Sequence, residues 1–162
     1  MTACTKIFFF PLLIVSFLTI VSCGNSYEVG DYYSNDTVKG IVVNVDEQGR
    51  PLMLLSIDEA IDIDADSAKQ WAVALGSEWH LPTKQEMEQV KKYKSLINQT
   101  LERRKYNGFL TGHTFYWTST PCSETHHYAC GPDGLRCYFN TNHSYCYRSR
   151  AVCLFDYSEN PQ

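Results

Sequence analysis

The chain has 162 residues, a formal net charge of −4 and seven cysteines. This length is enough for one domain with its own hydrophobic core. The acidic balance, without a basic stripe interleaved with aromatic residues, argues against a nucleic-acid partner.

Residues 1–22 have the layout of a secretory signal peptide, in which Lys6 precedes an apolar run of about fifteen residues. That run is too short and wrongly flanked for a transmembrane helix. It ends in Ile20-Val21-Ser22-Cys23, which resembles a bacterial lipobox, whose cysteine is acylated and becomes the mature N-terminus. A plain signal peptide with an incidental cysteine is the alternative.

We therefore expect a signal peptide over residues 1–22, a lipidated tether over residues 23–26 and a single domain over residues 27–158. The membrane contact would be made by the lipid on Cys23, because several acyl chains anchor a protein stably. The expected location is the bacterial cell envelope, at the outer membrane, with the surface and periplasmic faces both open.

Three strands are predicted at the start of the domain, over Tyr27–Tyr33, Lys39–Val45 and Pro51–Ser56. In the second, apolar residues alternate as expected for a half-buried face. Residues 46–49 between the second and third strands favour a hairpin turn, because Gly49 can adopt a positive φ.

Two helices are predicted next. Asp66 or Ser67 caps a short one that Gly76 ends. Thr83 and Glu86 have the spacing of a capping box at the start of the longest helix. Its apolar residues form one stripe, with an interruption allowed near Ser95 and an end at Asn107-Gly108: Met87, Val90, Tyr93, Ile97 and Leu101.

Two further strands are predicted, over Tyr116–Thr120 and Arg150–Phe155. The span between them is rich in Cys, Tyr, His, Asn and Gly. Five cysteines lie in this part of the chain: Cys122, Cys130, Cys137, Cys146 and Cys153. In an oxidising compartment two disulfides and one unpaired thiol are the default, and the spacing leaves their pairing open.

Three motifs in this order resemble a bacterial C-type-lectin-like lipoprotein family: Trp79-His80-Leu81-Pro82-Thr83, Tyr116-Trp117-Thr118-Ser119-Thr120 and Arg150-Ala151-Val152. The family is related to the target proteins of diversity-generating retroelements and, remotely, to formylglycine-generating enzymes. The resemblance implies an α+β, C-type-lectin-like fold with small antiparallel sheets and two or three helices. It also implies that the N- and C-terminal strands pair and that the segment between Thr120 and Arg150 is displayed on one face. Independently of it, Trp71, Trp79 and Trp117 are expected to anchor the core.

Metal and enzyme sites are not expected. Asp62, Asp64 and Asp66 resemble the start of a calcium loop, but the glycine and glutamate that would complete it are missing, and acidic residues are favoured at a helix N-terminus. His126, His127 and His143 lie among cysteines that contain no C-x-x-C pair, which argues against zinc. No hydrolase or metalloprotease motif is present, and we expect neither a cofactor nor catalytic activity.

A binding site is predicted in the C-terminal segment, which has the Tyr-, Asn- and Ser-rich composition of an antibody-like paratope. Tyr145 and Tyr147 lie two residues apart, so in a strand both would point to one face. The candidate ligand-binding residues are Tyr128, Tyr138, Asn140, Asn142, His143, Tyr145 and Tyr147. The expected partner is a protein or glycan. A structural or assembly component of an envelope complex is the alternative, and it would bury these aromatics.

Residues 125–158 contain no Lys, Glu, Gln, Met or Trp. Codons that end in a pyrimidine cannot encode these five residues, and retroelement diversification at such codons would leave this pattern. The composition of a disulfide-rich loop is the alternative explanation.

Overall fold

The computed structural model describes residues 25–139 and 147–157, where the chain forms three helices and two sheets, as the predicted α+β class requires. The helices are α1 (Ala65–Ala74), α2 (Lys84–Lys92) and α3 (Lys94–Arg103). The strands are β1 (Tyr32–Ser34), β2 (Lys39–Val45), β3 (Pro51–Ser56), β4 (Ala60–Ile61), β5 (Trp79–His80), β6 (Phe115–Ser123), β7 (His126–Gly131), β8 (Gly134–Phe139), β9 (Tyr147–Ser149) and β10 (Val152–Leu154). No helix in these ranges is long and apolar enough to cross a membrane.

The first sheet has the strand order β1-β2-β3-β10-β5. Its β2–β3 hairpin has the predicted bounds, and the turn is as expected. Gly49 has φ 75°, and the Asp46 carboxylate accepts hydrogen bonds from the amides of Gln48 and Arg50 at 2.9 and 2.8 Å. An aspartate that bonds amides two or more residues ahead stabilises such a turn.

The N- and C-terminal strands are not paired, contrary to the expectation. β10 lies between β3 and β5, while β1 pairs with β2 at the sheet edge and is shorter than predicted. The two ends still meet through side chains, because the rings of Tyr33 and Phe155 are 5.6 Å apart. The Tyr27 amide also donates a hydrogen bond to the Gly49 carbonyl in the β2–β3 turn. The Tyr157 hydroxyl donates to the carbonyl of Pro51, just after this turn.

Helix α1 begins two or three residues earlier than predicted. Asp64 is its N-cap and accepts a hydrogen bond from the Ser67 amide at 2.7 Å. The acidic run is thus used at the helix N-terminus, where its negative charge is favourable. Gly76, with φ 145°, follows the last turn as expected.

The predicted long helix is two helices, because the chain bends at Tyr93. The capping box of Thr83 and Glu86 is present in both directions, at 3.2 and 2.7 Å. Tyr93 has φ −104° and ψ 17°, so the break comes two residues before Ser95. The apolar stripe is buried on both sides of the break, from Met87 to Leu101, and α3 ends at Arg103, before Asn107-Gly108.

The second sheet has the strand order β4-β9-β6-β7-β8 and contains one parallel pair, β6 with β9. The sequence pattern did not predict the β7–β8 hairpin, since its residues do not alternate clearly between apolar and polar. The predicted strand Arg150–Phe155 contains β10 of the first sheet, whereas β9 of the second sheet was not predicted. Two buried clusters join the sheets: one packs β2, β3, α2 and α3 on Tyr116, and the other packs α1 and Trp79 on Trp117.

Candidate functional site

Four aromatic rings form a connected stack on one face of the second sheet, which we call the aromatic platform: Phe115, Trp117, Tyr138 and Tyr147. The Tyr147 ring lies 4.6 Å from Trp117, 5.6 Å from Phe115 and 5.2 Å from Tyr138, between ring centroids. Such offset and edge contacts stabilise a pair by about 0.5–1.5 kcal/mol beyond burial. The four rings of the platform are therefore held in place by their contacts with one another.

A glycine lets the platform form. A Cβ added to Gly131 would lie 2.5 Å from the Phe115 ring, so any larger residue there would displace that ring. Trp117 is held further by a hydrogen bond of 2.7 Å from its indole N–H to the carbonyl of Ile63, just before α1. Trp117 and Trp79 are both buried, which confirms them as core anchors, whereas Trp71 is only partly buried.

The predicted ligand-binding residues do not share one surface. Tyr147 is 5% exposed, and Tyr138 is partly buried against it. Tyr147 is thus a core residue, and the expectation that it meets a ligand and can be replaced without loss of stability is wrong. Parallel pairing of β9 with β6 places its ring on Trp117, and spacing alone could not reveal this contact.

Tyr128 lies on the opposite face of the same sheet. It is paired with Cys137, whereas Tyr138 is paired with the preceding residue, His127, and successive residues of a strand point to opposite faces. The Lys84 ammonium lies 4.7 Å from the centre of the Tyr128 ring, a cation–π contact with the start of α2. Tyr128 is therefore separated from the platform. Asn140, Asn142, His143 and Tyr145 lie outside the described residues, as does Cys23.

The cysteine pairing differs from the expected two disulfides and one unpaired thiol. Cys122 at the end of β6 forms a disulfide with Cys137 in β8, on the face that carries Tyr128. Cys130 and Cys153 are both free and buried, so two bridges cannot form among these five cysteines. Burial raises the pKa of each of these two thiols to about 11. They are protonated near neutral pH, which argues against a thiolate nucleophile at either position.

A buried charged network was missed by sequence analysis. The Glu59 carboxylate, 5% exposed, accepts hydrogen bonds from Arg148 at 3.0 Å, Tyr116 at 2.9 Å and Asn107 at 2.6 Å. The fully buried Arg150 lies 3.7 Å from the same carboxylate. The four partners of Glu59 are 48 to 91 positions away from it in the chain, so no local spacing could have indicated this network.

Arg150 links this network to the backbone. Its guanidinium donates to the carbonyls of Ser56, Ile57 and Asn107 at 2.7–2.8 Å. The pKa of Tyr116 is raised to about 12, mainly by burial and also by the neighbouring Glu59, while the charge of Arg150 acts in the opposite direction. The network therefore serves the fold, because its opposite charges are paired inside the protein, and only Nε of Arg148 and Nε of Arg150 are buried in it without a hydrogen-bond partner.

The motifs that carry the resemblance meet in space. The Ser119 amide donates to the Pro82 carbonyl at 2.8 Å, and the Thr120 hydroxyl accepts from the Lys84 amide at 2.9 Å. Val152 is paired with His80. The three motifs thus form one structural junction between the sheets and α2.

The described residues contain no group of three or more His, Cys, Asp or Glu that could hold a metal ion. Two of the cysteines weighed as zinc ligands, Cys122 and Cys137, are bonded to each other. No protein-family model matches the sequence, and no curated protein matches it.

Proposed function

We propose that the chain is a lipid-anchored protein of the bacterial cell envelope that binds a protein or glycan through its Tyr/Asn/His-rich C-terminal segment. It acts by binding, without catalysis. The observation that carries the proposal is the aromatic platform. Tyr138 and Tyr147 flank residues 140–146 in the chain. Tyr147 packs on Trp117 and Tyr138 packs on Tyr147, so the polar segment is joined at both ends to packed aromatic rings. A binding segment on rigid elements loses less conformational entropy when it meets a ligand.

The proposed fold is C-type-lectin-like. The proposal rests on the resemblance in three ordered motifs and is supported by their convergence at one junction. The resemblance implies that the segment between Thr120 and Arg150 is displayed on one face, and residues 140–146 belong to that segment, between β8 and β9 in chain order. Retroelement diversification of residues 125–158 is proposed on composition alone.

Binding is tested with substitutions in the segment rather than in the platform. Asn142→Ala with His143→Ala should weaken binding on a glycan array, or to a purified surface protein, by about tenfold or more, since hot-spot residues contribute about 2 kcal/mol each. The matched control is Glu47→Ala with Gln48→Ala in the exposed β2–β3 turn, which should bind like the wild type. Unchanged binding by the first variant, or no saturable binding by the wild type, would contradict the proposal.

The anchor is tested separately. Cys23→Ala should release the protein from membranes without unfolding it, because the anchor is covalent and precedes the domain. Partition into the detergent phase that survives this substitution would contradict the lipid anchor.

A structural component of an envelope complex is the second candidate, and the burial of Tyr147 favours it. If the aromatics of the segment serve only to pack against each other, no exchangeable ligand is needed. Co-purification at fixed stoichiometry, unaffected by substitutions at Asn142 and His143, would favour this candidate.

A further inference from the structure

An open cleft lies beside the first described residues, which we call the anchor-side cleft. It has a volume of about 850 Å³, and its lining includes Asn25, Ser26, Asp31, Tyr32, Arg103 and Arg104. The two guanidinium groups come from the end of α3, and they outnumber the single carboxylate of Asp31. The cleft is thus locally basic on a chain whose formal net charge is −4.

The arginines retain donors for a ligand. Arg103 donates to the Gln99 carbonyl at 3.2 Å and to the Thr100 hydroxyl at 3.1 Å, which uses two of its five N–H groups. The Arg104 guanidinium lies over the Tyr32 ring, with its Cζ atom 3.3 Å from the ring centre. Stacking occupies the face of a guanidinium and leaves the N–H groups at its edge free to bind a phosphate bidentately.

The carboxylate in the cleft has a structural partner. Asp31 accepts a hydrogen bond from the Glu28 amide at 2.9 Å, and its own amide bonds the Glu28 carbonyl. The Gly30 amide donates to the Val42 carbonyl, and the Gly30 carbonyl accepts a hydrogen bond of 2.6 Å from the Thr100 hydroxyl of α3. These hydrogen bonds attach residues 27–31 to β2 and α3. The position of the cleft relative to Tyr27 is therefore fixed.

The reach of the chain identifies the occupant. Cys23 precedes Tyr27 by four residues, so the two lie no more than about 14 Å apart even in a fully extended chain. Acyl chains on Cys23 would be inserted in the bilayer, whose headgroup layer is about 5–8 Å thick on each side. Because Asn25 and Ser26 of the cleft lining follow Cys23 by only two and three residues, the anchor keeps the cleft within reach of the lipid phosphates.

We infer that the anchor-side cleft binds the phosphate of a membrane phospholipid through Arg103 and Arg104. The inference rests on the proposed anchor at Cys23, since the anchor places the cleft at the headgroups. It adds a second, non-covalent membrane contact that would restrict how the domain is oriented on the bilayer.

The test uses the full chain purified from membranes and reconstituted into two kinds of vesicle. One contains phosphatidylglycerol and phosphatidylcholine, and the other contains digalactosyldiacylglycerol, which has no phosphate. The readout is the rate at which phenylglyoxal modifies Arg103 and Arg104, with Arg136 on β8, whose side chain is 66% exposed, as the internal control. We expect modification in phospholipid to slow by about tenfold, the factor for one charge-assisted contact. Arg136 should react equally in both vesicles.

Equal rates at Arg103 and Arg104 in the two vesicles would overturn the inference. The same protection by inorganic phosphate added to galactolipid vesicles would also overturn it, since the source would then be free phosphate. Intact mass of the purified chain reports the acyl groups independently. If the protein is acylated but Arg103 and Arg104 are not protected from phenylglyoxal, the lipid anchor is retained and the phosphate site in the cleft is contradicted. If the protein carries no acyl mass, both the anchor and the phosphate site are contradicted.

A variant gives a second readout that also reports folding. In phospholipid vesicles, amide hydrogen exchange of residues 27–32 should be slower than in galactolipid. Arg103→Gln with Arg104→Gln should abolish this difference, and the control Arg136→Gln should retain it. Exchange in the β2–β3 hairpin should be the same in all three proteins if they are folded. A double variant that keeps the difference would contradict the inference.

Discussion

The two sheets are stabilised by different chemistry. The first sheet buries aliphatic side chains such as Ile41, Leu54 and Val152 against the helices and the second sheet. The second sheet relies on stacked aromatic rings around Trp117 and on the disulfide between Cys122 and Cys137. A region with an irregular, polar composition can thus still be rigid, because ring stacking and a covalent link replace the aliphatic alternation. Five substitutions or titrations can separate the two regions.

The largest effect is expected for Trp117→Ala. It removes a fully buried side chain and a hydrogen bond to Ile63, and should lower the free energy of unfolding by about 3–5 kcal/mol. Chemical denaturation followed by circular dichroism measures it. The control Trp71→Ala, at a partly buried position, should cost about 1 kcal/mol. Similar losses for both would contradict the central role of the platform.

Glu59→Gln should cost about 3 kcal/mol, because it leaves the fully buried guanidinium of Arg150 and the partly buried one of Arg148 without their counter-charge. Since Glu59 follows the first sheet and contacts Tyr116 of the second, the change should loosen the contact between the sheets. Denaturation midpoints compared with Glu47→Gln, an exposed control expected to change stability by less than about 0.5 kcal/mol, provide the test. A Glu59 variant as stable as the control would mean that the network contributes nothing.

Cys122→Ser with Cys137→Ser should lower the free energy of unfolding by up to about 3 kcal/mol, because the bridge closes a loop with a sequence separation of 15. Reduction of the wild type with dithiothreitol should reproduce the loss, and the double variant should not respond to the reductant. If the hairpin β7–β8 keeps its hydrogen-exchange protection in the variant, the aromatic stack alone holds the second sheet.

Thr83→Ala should cost about 1 kcal/mol, since the capping box at the start of α2 loses one of its two hydrogen bonds. Thr83→Ser, which keeps the hydroxyl, should be close to the wild type. Thermal unfolding of the three proteins decides between a capping role and a packing role for this side chain, because a packing role would make serine as costly as alanine.

The smallest change in stability at ordinary pH is expected from the titration of the buried thiols, Cys130 and Cys153, and of Tyr116. Burial raises the pKa of Cys130 and of Cys153 from the ordinary thiol value of 9 to about 11, and the pKa of Tyr116 from 10 to about 12. Above pH 9 the unfolded chain therefore loses protons first, and stability should fall as pH rises from 9 to 12, with no loss from these groups below pH 8. Denaturation series at pH 8, 9.5 and 11, compared with Cys130→Ala, measure this dependence. A wild type equally stable at all three pH values would contradict it.

Local patterns predicted the β2–β3 hairpin and the start of α2 well. The bounds of β2 and β3, the turn at Gly49 and the capping box at Thr83 depend on residues within a few positions of each other, so they are readable from the sequence. The helix break at Tyr93 and the first cap at Asp64 were misplaced by two or three residues, since several nearby residues could serve either role.

The predicted binding segment was identified by composition, and composition does not distinguish the two faces of a strand. Tyr138 and Tyr147 were expected to face a ligand, yet the parallel pairing of β9 with β6 places Tyr147 on Trp117. Tyr128 lies on the other face, because the register of β7 with β8 pairs it with Cys137.

The sequence by itself determined the α+β class, the tryptophan anchors Trp79 and Trp117, the β2–β3 hairpin and the start of α2, because hydrophobic periodicity and capping act over short distances. Only the tertiary structure decided that β10 lies between β3 and β5, that Cys122 pairs with Cys137, and that Glu59 meets Arg148 and Arg150. These contacts join residues far apart in the chain, and each depends on strand order and register, which no local spacing specifies.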